Sequence, residues 1–389
     1  MSDDLPSQLR VKFSQMYGDT GNPVEMFFCP GRVNLIGDHI DYNGGNVFPM
    51  ALERGIFAAA RRRTDRLVHL HSLQRSEVCE FDLSNPIVFN EKDGWGNYPK
   101  GVAKILLEEG HGLPGVEILF SSNLPMAAGV SSSAALEVLT GYILLAEGAE
   151  HSIDRVALAL AAQRAEREFV GVNCGIMDQF SVAMSKKDHA VFLNCATLEH
   201  RYVPINLAQH VICVINTNKP RELAGSKYNE RRGQCESALE LLKKSRKLNN
   251  LCEADIELVE TQIADPLLKR RARHVVNEQQ YVLEAVKALG ANRLDDFGAL
   301  LVKSHRSLQH DYEVSCPELD CLVDLSISHP GCLGARMTGA GFGGCAVALV
   351  ERSQISDFEA KVAAGYAERT GRTADFICSG GASGVCQQS

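Results

Sequence analysis

The chain has 389 residues, of which 45% are hydrophobic and 23% charged, and its formal net charge is −8. That length holds two domains or one large one, with the apolar share of an ordinary globular protein. The acidic balance argues against nucleic acid or an anionic membrane as a partner, and no apolar run nears the roughly 20 residues of a membrane span.

In chain order, the opening MSDDLPSQLR is acidic and polar, unlike a secretory leader. MFFCPGRVNLIG then reads as a strand entering a turn. Within it begins PGRVNLIGDHIDYNGGNVFP, Pro30 to Pro49, which packs Arg32, Asp38, His39, Asp41 and four glycines into twenty residues. The basic run Arg61, Arg62, Arg63 and a later one at Lys269, Arg270, Arg271 read as solvated faces. GWGNYPKG carries Trp95, the single tryptophan.

LPMAAGVSSSAALEV, Leu124 to Val138, is a loop of small residues opening into a helix. Free backbone N–H groups and the positive end of the helix dipole converge there, which suits an anion. Ser131, Ser132 and Ser133 add hydroxyls for phosphate oxygens or a magnesium ion. Read alone, the stretch is equally a serine-capped helix, and it lacks the lysine of a Walker A loop. SAALEVLTGYILLAEG continues as that helix, and DRVALALAAQRAEREFV as another, with Ser152 as its cap and Glu166 near its end. In GVNCGIMDQF, Asp178 sits among Ile176, Met177 and Phe180, where an unpaired carboxylate is costly. It is either a satisfied core aspartate at a helix cap or a paired functional one.

Ala190–Cys195, His210–Thr217 and Gly344–Val350 are short β-branched runs of strand type. Lys227 to Leu289 is charged with helical spacing and predicts two or three surface helices. RMTGAGFGGCAVAL, Arg336 to Leu349, offers glycine torsions that a side chain would block, in a ligand loop or a tight hairpin. Thirteen scattered cysteines without a CxxC pair, the nearest spacing being Cys316 and Cys321, predict reduced, mostly buried thiols and no zinc site. Strands and helices alternate in a mixed α/β chain, and a composition shift divides it into residues 1–205 and 206–389.

GRVNLIGDHIDYNGG, GVSSSAAL, GIMDQF, SKYNERRGQCE, SHRSLQHDYEVSCPELD and RMTGAGFGGC, in this order, resemble the galactokinase family of the GHMP kinase superfamily, from about Phe28 to Val350. The resemblance implies a two-domain α+β GHMP kinase fold: mixed β-sheets with helices packed on them and an active site in the interdomain cleft. It implies ATP-dependent phosphorylation of α-D-galactose at O1, giving galactose 1-phosphate and ADP, the first step of galactose metabolism, in the cytoplasm. Asp178 matches the catalytic base and Arg32 the arginine that keeps it ionised and neutralises charge on the transferring phosphoryl group. Ser133 and Glu166 match the holders of Mg²⁺. Asp38, His39, Asp41, Gly175 and Tyr228 match the galactose site. Trp95 matches the adenine-packing aromatic, and Gly129 and Ser131–Ser133 the ATP phosphate loop. No obligate protein partner is implied.

Two departures stand out. The family usually has glutamate at position 38, so Asp38 reaches roughly 1.5 Å less, one carbon–carbon bond, toward the outer hydroxyls of the sugar. Ala127 and Ala340 stand where glycine is common, which is harmless at negative φ, while Gly129 is expected to be the demanding position. The rival readings are a kinase of N-acetylgalactosamine or galacturonate, and a non-catalytic galactose sensor. DYNGG after His39 resembles the galactose branch; such sensors lack two residues just after the serine run, whereas here Ser133 and Ala134 are followed by ALEV and Asp178 is present.

Overall fold

The computed structural model describes residues 5–125, 129–146, 153–220 and 224–388. Its strands are β1 Glu25–Asn34, β2 Asn46–Val47, β3 Pro49–Arg62, β4 Leu67–Ser72, β5 Arg75–Asp82, β6 Val116–Ser122, β7 His189–Asn194, β8 His200–Pro204, β9 His210–Asn216, β10 Cys332–Thr338, β11 Cys345–Glu351, β12 Asp375–Ser379 and β13 Cys386–Gln388. They form a six-stranded sheet ordered β13-β1-β3-β6-β4-β5, a four-stranded sheet β10-β11-β9-β12 and a three-stranded sheet β2-β7-β8. β4 runs parallel to β6 and the other paired strands are antiparallel, so the large sheet is mixed, with helices packed on it, as an α+β fold requires.

The two-residue period of a strand shows in the cores. Phe27, Cys29, Ala58, Ala60, Ile118 and Phe120 face the main core, beneath the helices Ser132–Leu145 and Met177–Met184. Their neighbours Met26, Phe28, Phe57, Ala59 and Leu119 face the opposite side, closed by Leu9 and Phe13 of the helix Leu5–Tyr17. Because both faces are covered, these strands read as continuous apolar runs. Each fully buried side chain such as Phe13 contributes about 1.5–3 kcal/mol. β9 behaves likewise, with Ile212 and Val214 in the main core and Val211, Cys213 and Ile215 in a second one.

Several sequence expectations need correction. The segment 154–170 is an α-helix only over Arg155–Arg164 and continues as a π-helical turn, Ala165–Val170. Its cap is Asp154, whose carboxylate accepts from the Val156 and Ala157 amides, while Ser152 lies outside the described residues. The charged stretch from 227 to 289 includes the helix Pro266–Gly290, which is no surface helix, since it buries Arg271, His274 and Glu278 beside Val275 and Val282. The thiols are not all reduced: Cys213 and Cys378, opposite each other on β9 and β12, are joined in a disulfide. No helix of the described residues is long and apolar enough to cross a membrane.

Candidate active site

β1 carries Pro30–Arg32 through a register shift against β3, and this irregularity precedes the turn 35–45. His39 in that turn has a φ of 65° and Gly44 one of 73°, torsions that only a tight turn needs. A cavity of about 380 Å³ opens on it, lined by Arg32, Asp38, His39, Asp41, Glu166, Gly175, Asp178 and Tyr228. Gly339 and Ala340 of the turn between β10 and β11 close its far side. The residues read from the sequence as base, arginine and sugar ligands therefore share one cavity with a candidate metal carboxylate.

Asp178 sits in the first turn of the helix Met177–Met184. Arg32 reaches it with Nε at 2.9 Å and Nη2 at 2.7 Å, both on Oδ1, and Arg32 Nη1 donates to the Gly129 carbonyl at 2.7 Å. The same guanidinium thus joins the acid to the serine-rich loop. Asp41 is crowded by burial and by the Asp178 charge, which push its carboxyl up to about 7. Gly175 is tight against it: a Cβ there would stand 1.8 Å from Asp41 Oδ2. Tyr228 is half-buried beside His39, with ring centroids 5.7 Å apart.

Asp38 is 1% exposed, and its carboxylate is already engaged. Oδ1 accepts from Asn34 Nδ2 at 3.1 Å, and Arg336 Nη2 lies 2.7 Å from Oδ2. Arg336 also donates from Nη1 to the Leu35 carbonyl at 3.1 Å, and Glu278 accepts from the Gly37 amide at 2.8 Å. Arg336 and Glu278 thus grip the turn from the C-terminal half. The motif RMTGAGFGGC contains this arginine, but nothing local in it signals the contact with the turn.

A second cavity, about 270 Å³, is lined by Trp95, Tyr98, Phe120, Ile56, Leu136, Ser132 and Ser133. It suits a flat apolar ring next to a polar group. Ser131, the N-cap of the helix Ser132–Leu145, has a φ of 63°, and its buried hydroxyl finds no partner among the described residues. Gly129 has a φ of 75°, so the demanding glycine is the expected one. Ala340 is not among the residues with positive φ and carries its methyl group without strain; Ala127 lies outside the described residues.

Glu166 is 6% exposed, not solvated as a lone helical acid would be. Burial and Asp178 raise its pKa, while hydrogen bonds from Cys174, Gln179 and Ser133 oppose the rise. Gln179 Nε2 bridges it at 2.6 Å to a second buried acid, Glu137, at 3.0 Å. Burial raises Glu137 well above the ordinary carboxylate range. Sequence reasoning missed both Gln179 and Glu137. The π-helical turn carries Glu166, and no residue pattern announces such a turn. The hydroxyl of Ser133 and the carboxylate of Glu166 are a hard oxygen pair that fits Mg²⁺, whose remaining ligands would be phosphate and water.

The arrangement, an ion-paired acid in a polar cavity next to an anion-ready helix end, is that of a small-molecule kinase. The family model of the GHMP kinases' N-terminal domain matches residues 97–186 and that of their C-terminal domain 285–368. The galactokinase galactose-binding signature matches residues 11–62. A galactokinase of Clostridium tetani is 46% identical over 376 residues, covering 96% of this chain and 95% of that protein. One of Halalkalibacterium halodurans is 47% identical over 373 residues, covering 95% and 94%. The crystal structure of Lactococcus lactis galactokinase complexed with galactose superposes with a TM-score of 0.92 at 40% identity, over 98% of this chain and 99% of that one. The mevalonate kinase of Methanococcus jannaschii, at 16% identity and a TM-score of 0.66, shares the fold. The chain belongs to the galactokinase family.

Proposed function

We propose that this enzyme transfers the γ-phosphoryl group of ATP to the anomeric O1 of α-D-galactose, giving galactose 1-phosphate and ADP. The observation that carries the reading is the pairing of Arg32 with Asp178 Oδ1 at the head of a polar cavity. Galactose lies in that cavity with its hydroxyls toward Asp38, Asp41, Tyr228 and the Gly175 backbone and its body against the ring of His39. Asp178 accepts the O1 proton as the O1–P bond forms and the bond from Pγ to the leaving ADP oxygen breaks. Arg32 pairs with the acid and offsets charge on the phosphoryl oxygens; little covalent work is asked of the protein.

ATP places its adenine against Trp95 and its phosphates at the helix entrance formed by Gly129 and Ser131–Ser133. Ser133 and Glu166 hold Mg²⁺, which neutralises phosphate charge when bound. The site lies in the cleft between an N-terminal half, 1–205, and a C-terminal half, 206–389. A cytoplasmic enzyme with galactose and ATP as its only obligate partners belongs to the same proposal. The test incubates the protein with Mg-ATP and a hexose panel including N-acetylgalactosamine and galacturonate, and locates the phosphate by ³¹P NMR. A 1-phosphate formed fastest from galactose is expected; transfer to another sugar or another hydroxyl overturns the assignment.

A further inference from the structure

Behind His39 the sugar cavity is backed by largely buried polar groups, Tyr42, Tyr312 and Cys235, that the mechanism above does not use. His39 Nδ1 lies 2.8 Å from the Tyr42 hydroxyl, that hydroxyl 2.7 Å from the Tyr312 hydroxyl, and the latter 3.1 Å from Cys235 Sγ. On the other side of the imidazole, Nε2 is 3.2 Å from the Ala340 carbonyl, in the glycine-rich turn. Tyr312 is fully buried and Cys235 1% exposed. The Tyr312 backbone is fixed as well, since its carbonyl accepts from Arg231 Nε at 2.7 Å.

Counting protons gives this chain a single direction. A carbonyl oxygen only accepts, so His39 Nε2 must carry the proton that faces Ala340. In a neutral ring Nδ1 is then an acceptor, and the one hydroxyl proton of Tyr42 goes to it. Tyr42 oxygen must therefore accept from Tyr312, which spends its own proton there. Tyr312 oxygen is left to accept from the Cys235 thiol. Burial, with Arg231 and Arg336 nearby, lowers the imidazole to about 4, against the raising influence of Asp38. Burial keeps the Cys235 thiol protonated by pushing it up to about 11. Every hydrogen in the relay has one acceptor.

We propose that Tyr42, Tyr312 and Cys235 are positioning residues that fix the orientation of His39 with its proton on Nε2, so that the sugar-binding turn is tied to the glycine-rich turn through Ala340. His39 thereby presents a set ring face to the cavity, and its nitrogens are committed to protein partners. The inference rests on the reading of this cavity as the sugar site.

The test uses full-length protein labelled with ¹⁵N at histidine, with His39 assigned by its absence from an His39→Gln spectrum. Long-range ¹H–¹⁵N correlations at neutral pH are expected to show His39 protonated at Nε2 alone. Tyr42→Phe removes the donor to Nδ1. Its Nδ1 resonance should move toward that of an unbonded imidazole, with the galactose KM raised about tenfold, the scale of one buried hydrogen bond. The ATP KM and kcat should stay within about twofold, a split that a general loss of structure does not give. Tyr312→Phe breaks the next link and should act in the same direction. Cys235→Ser keeps an O–H donor and should behave as wild type, so the proposal stays testable if Tyr42→Phe fails to fold. His39 protonated at Nδ1 in the wild type, or Tyr variants with unchanged spectra and KM, overturn it. Failure of the sugar-site reading is distinct: the wild type would then not phosphorylate galactose at all.

Discussion

Arg32 meets Asp178 through two nitrogens, at 2.9 and 2.7 Å, on a single carboxylate oxygen. Among the described residues no hydrogen bond falls on Oδ2, so this pairing leaves that oxygen open to an incoming hydroxyl while the guanidinium balances the charge at Oδ1. Asp178→Asn keeps the shape but removes the base. It should lower kcat by about 10²–10⁴-fold and leave galactose and ATP affinities within a few-fold. Single-turnover rates beside calorimetric binding check this; turnover near wild type would put the base elsewhere.

The acid at 41 gives the site a pH dependence with a definite sign. Burial and then Asp178 raise Asp41 to about 7, against 3.8 in the unfolded chain. Between these values the folded protein binds a proton that the unfolded chain has released. This contribution to stability is therefore full below about 4 and is lost as pH rises through 7, with a slope of at most about 1.4 kcal/mol per pH unit. A sugar hydroxyl donating to Asp41 favours the ionised form, so galactose binding should release a proton and KM should fall from pH 6 to 8. Calorimetry in buffers of different ionisation enthalpy counts that proton. In Asp41→Asn the release should vanish, and persistence of a full proton would refute the assignment.

Gln179 joins the two buried acids Glu137 and Glu166 through one amide nitrogen. Replacing it by methionine keeps the volume and leaves both carboxyls without that donor. The Mg²⁺ concentration for half-maximal rate should rise about 10–100-fold, the usual range for a residue that orients a metal ligand. Stability should drop by about 1–3 kcal/mol for the stranded acceptors. Rates titrated against Mg²⁺, together with thermal unfolding, separate these effects. A lower Tm with an unchanged Mg²⁺ requirement would assign Gln179 to packing alone.

Trp95 stands edge-on to Phe120, with ring centroids 5.9 Å apart, on the wall of the second cavity. As the single tryptophan it reports that wall alone. Its emission should change on addition of ATP or ADP and stay flat with galactose. A response to the sugar and none to nucleotide would reverse the assignment of the two cavities.

What could be read from the sequence followed the reach of the local signals. The short apolar, β-branched runs of β7, β9 and β11 appear within a residue of their expected ends, because strand composition and burial agree there. Arg32 near the end of β1 and Asp38, His39 and Asp41 on the turn that follows lie within ten residues and could be grouped from a single motif. The partners that hold them could not, since Tyr42 meets Tyr312 across 270 positions and Arg336 meets Leu35 across 301. Such contacts depend on how the sheets pack, and no local periodicity encodes them. The helix Pro266–Gly290 misled for a related reason. Its charged residues looked solvent-facing, yet Arg271 is buried against the Asp311 carbonyl and Glu278 against Ser304 and Gly37.

The shortened acid at position 38 is the remaining lever on specificity. Oδ1 accepts from Asn34, while Oδ2 faces the Arg336 guanidinium at 2.7 Å without a hydrogen bond among the described residues, so the charge is balanced by the arginine that holds the turn. Asp38→Glu adds a methylene at a site that is 1% exposed, where overpacking costs about 1–3 kcal/mol unless the carboxylate swings into the cavity. If it swings, it fills space that a substituent at the outer end of the sugar would use. The variant should then favour galactose over C6-modified analogues by about 10-fold or more in kcat/KM relative to wild type, the discrimination one methylene can give. Kinetics with galactose, 6-deoxygalactose and a bulkier C6 derivative measure that ratio. If it is the same in both proteins, residue 38 does not set tolerance at C6, and its role is confined to the grip on Arg336.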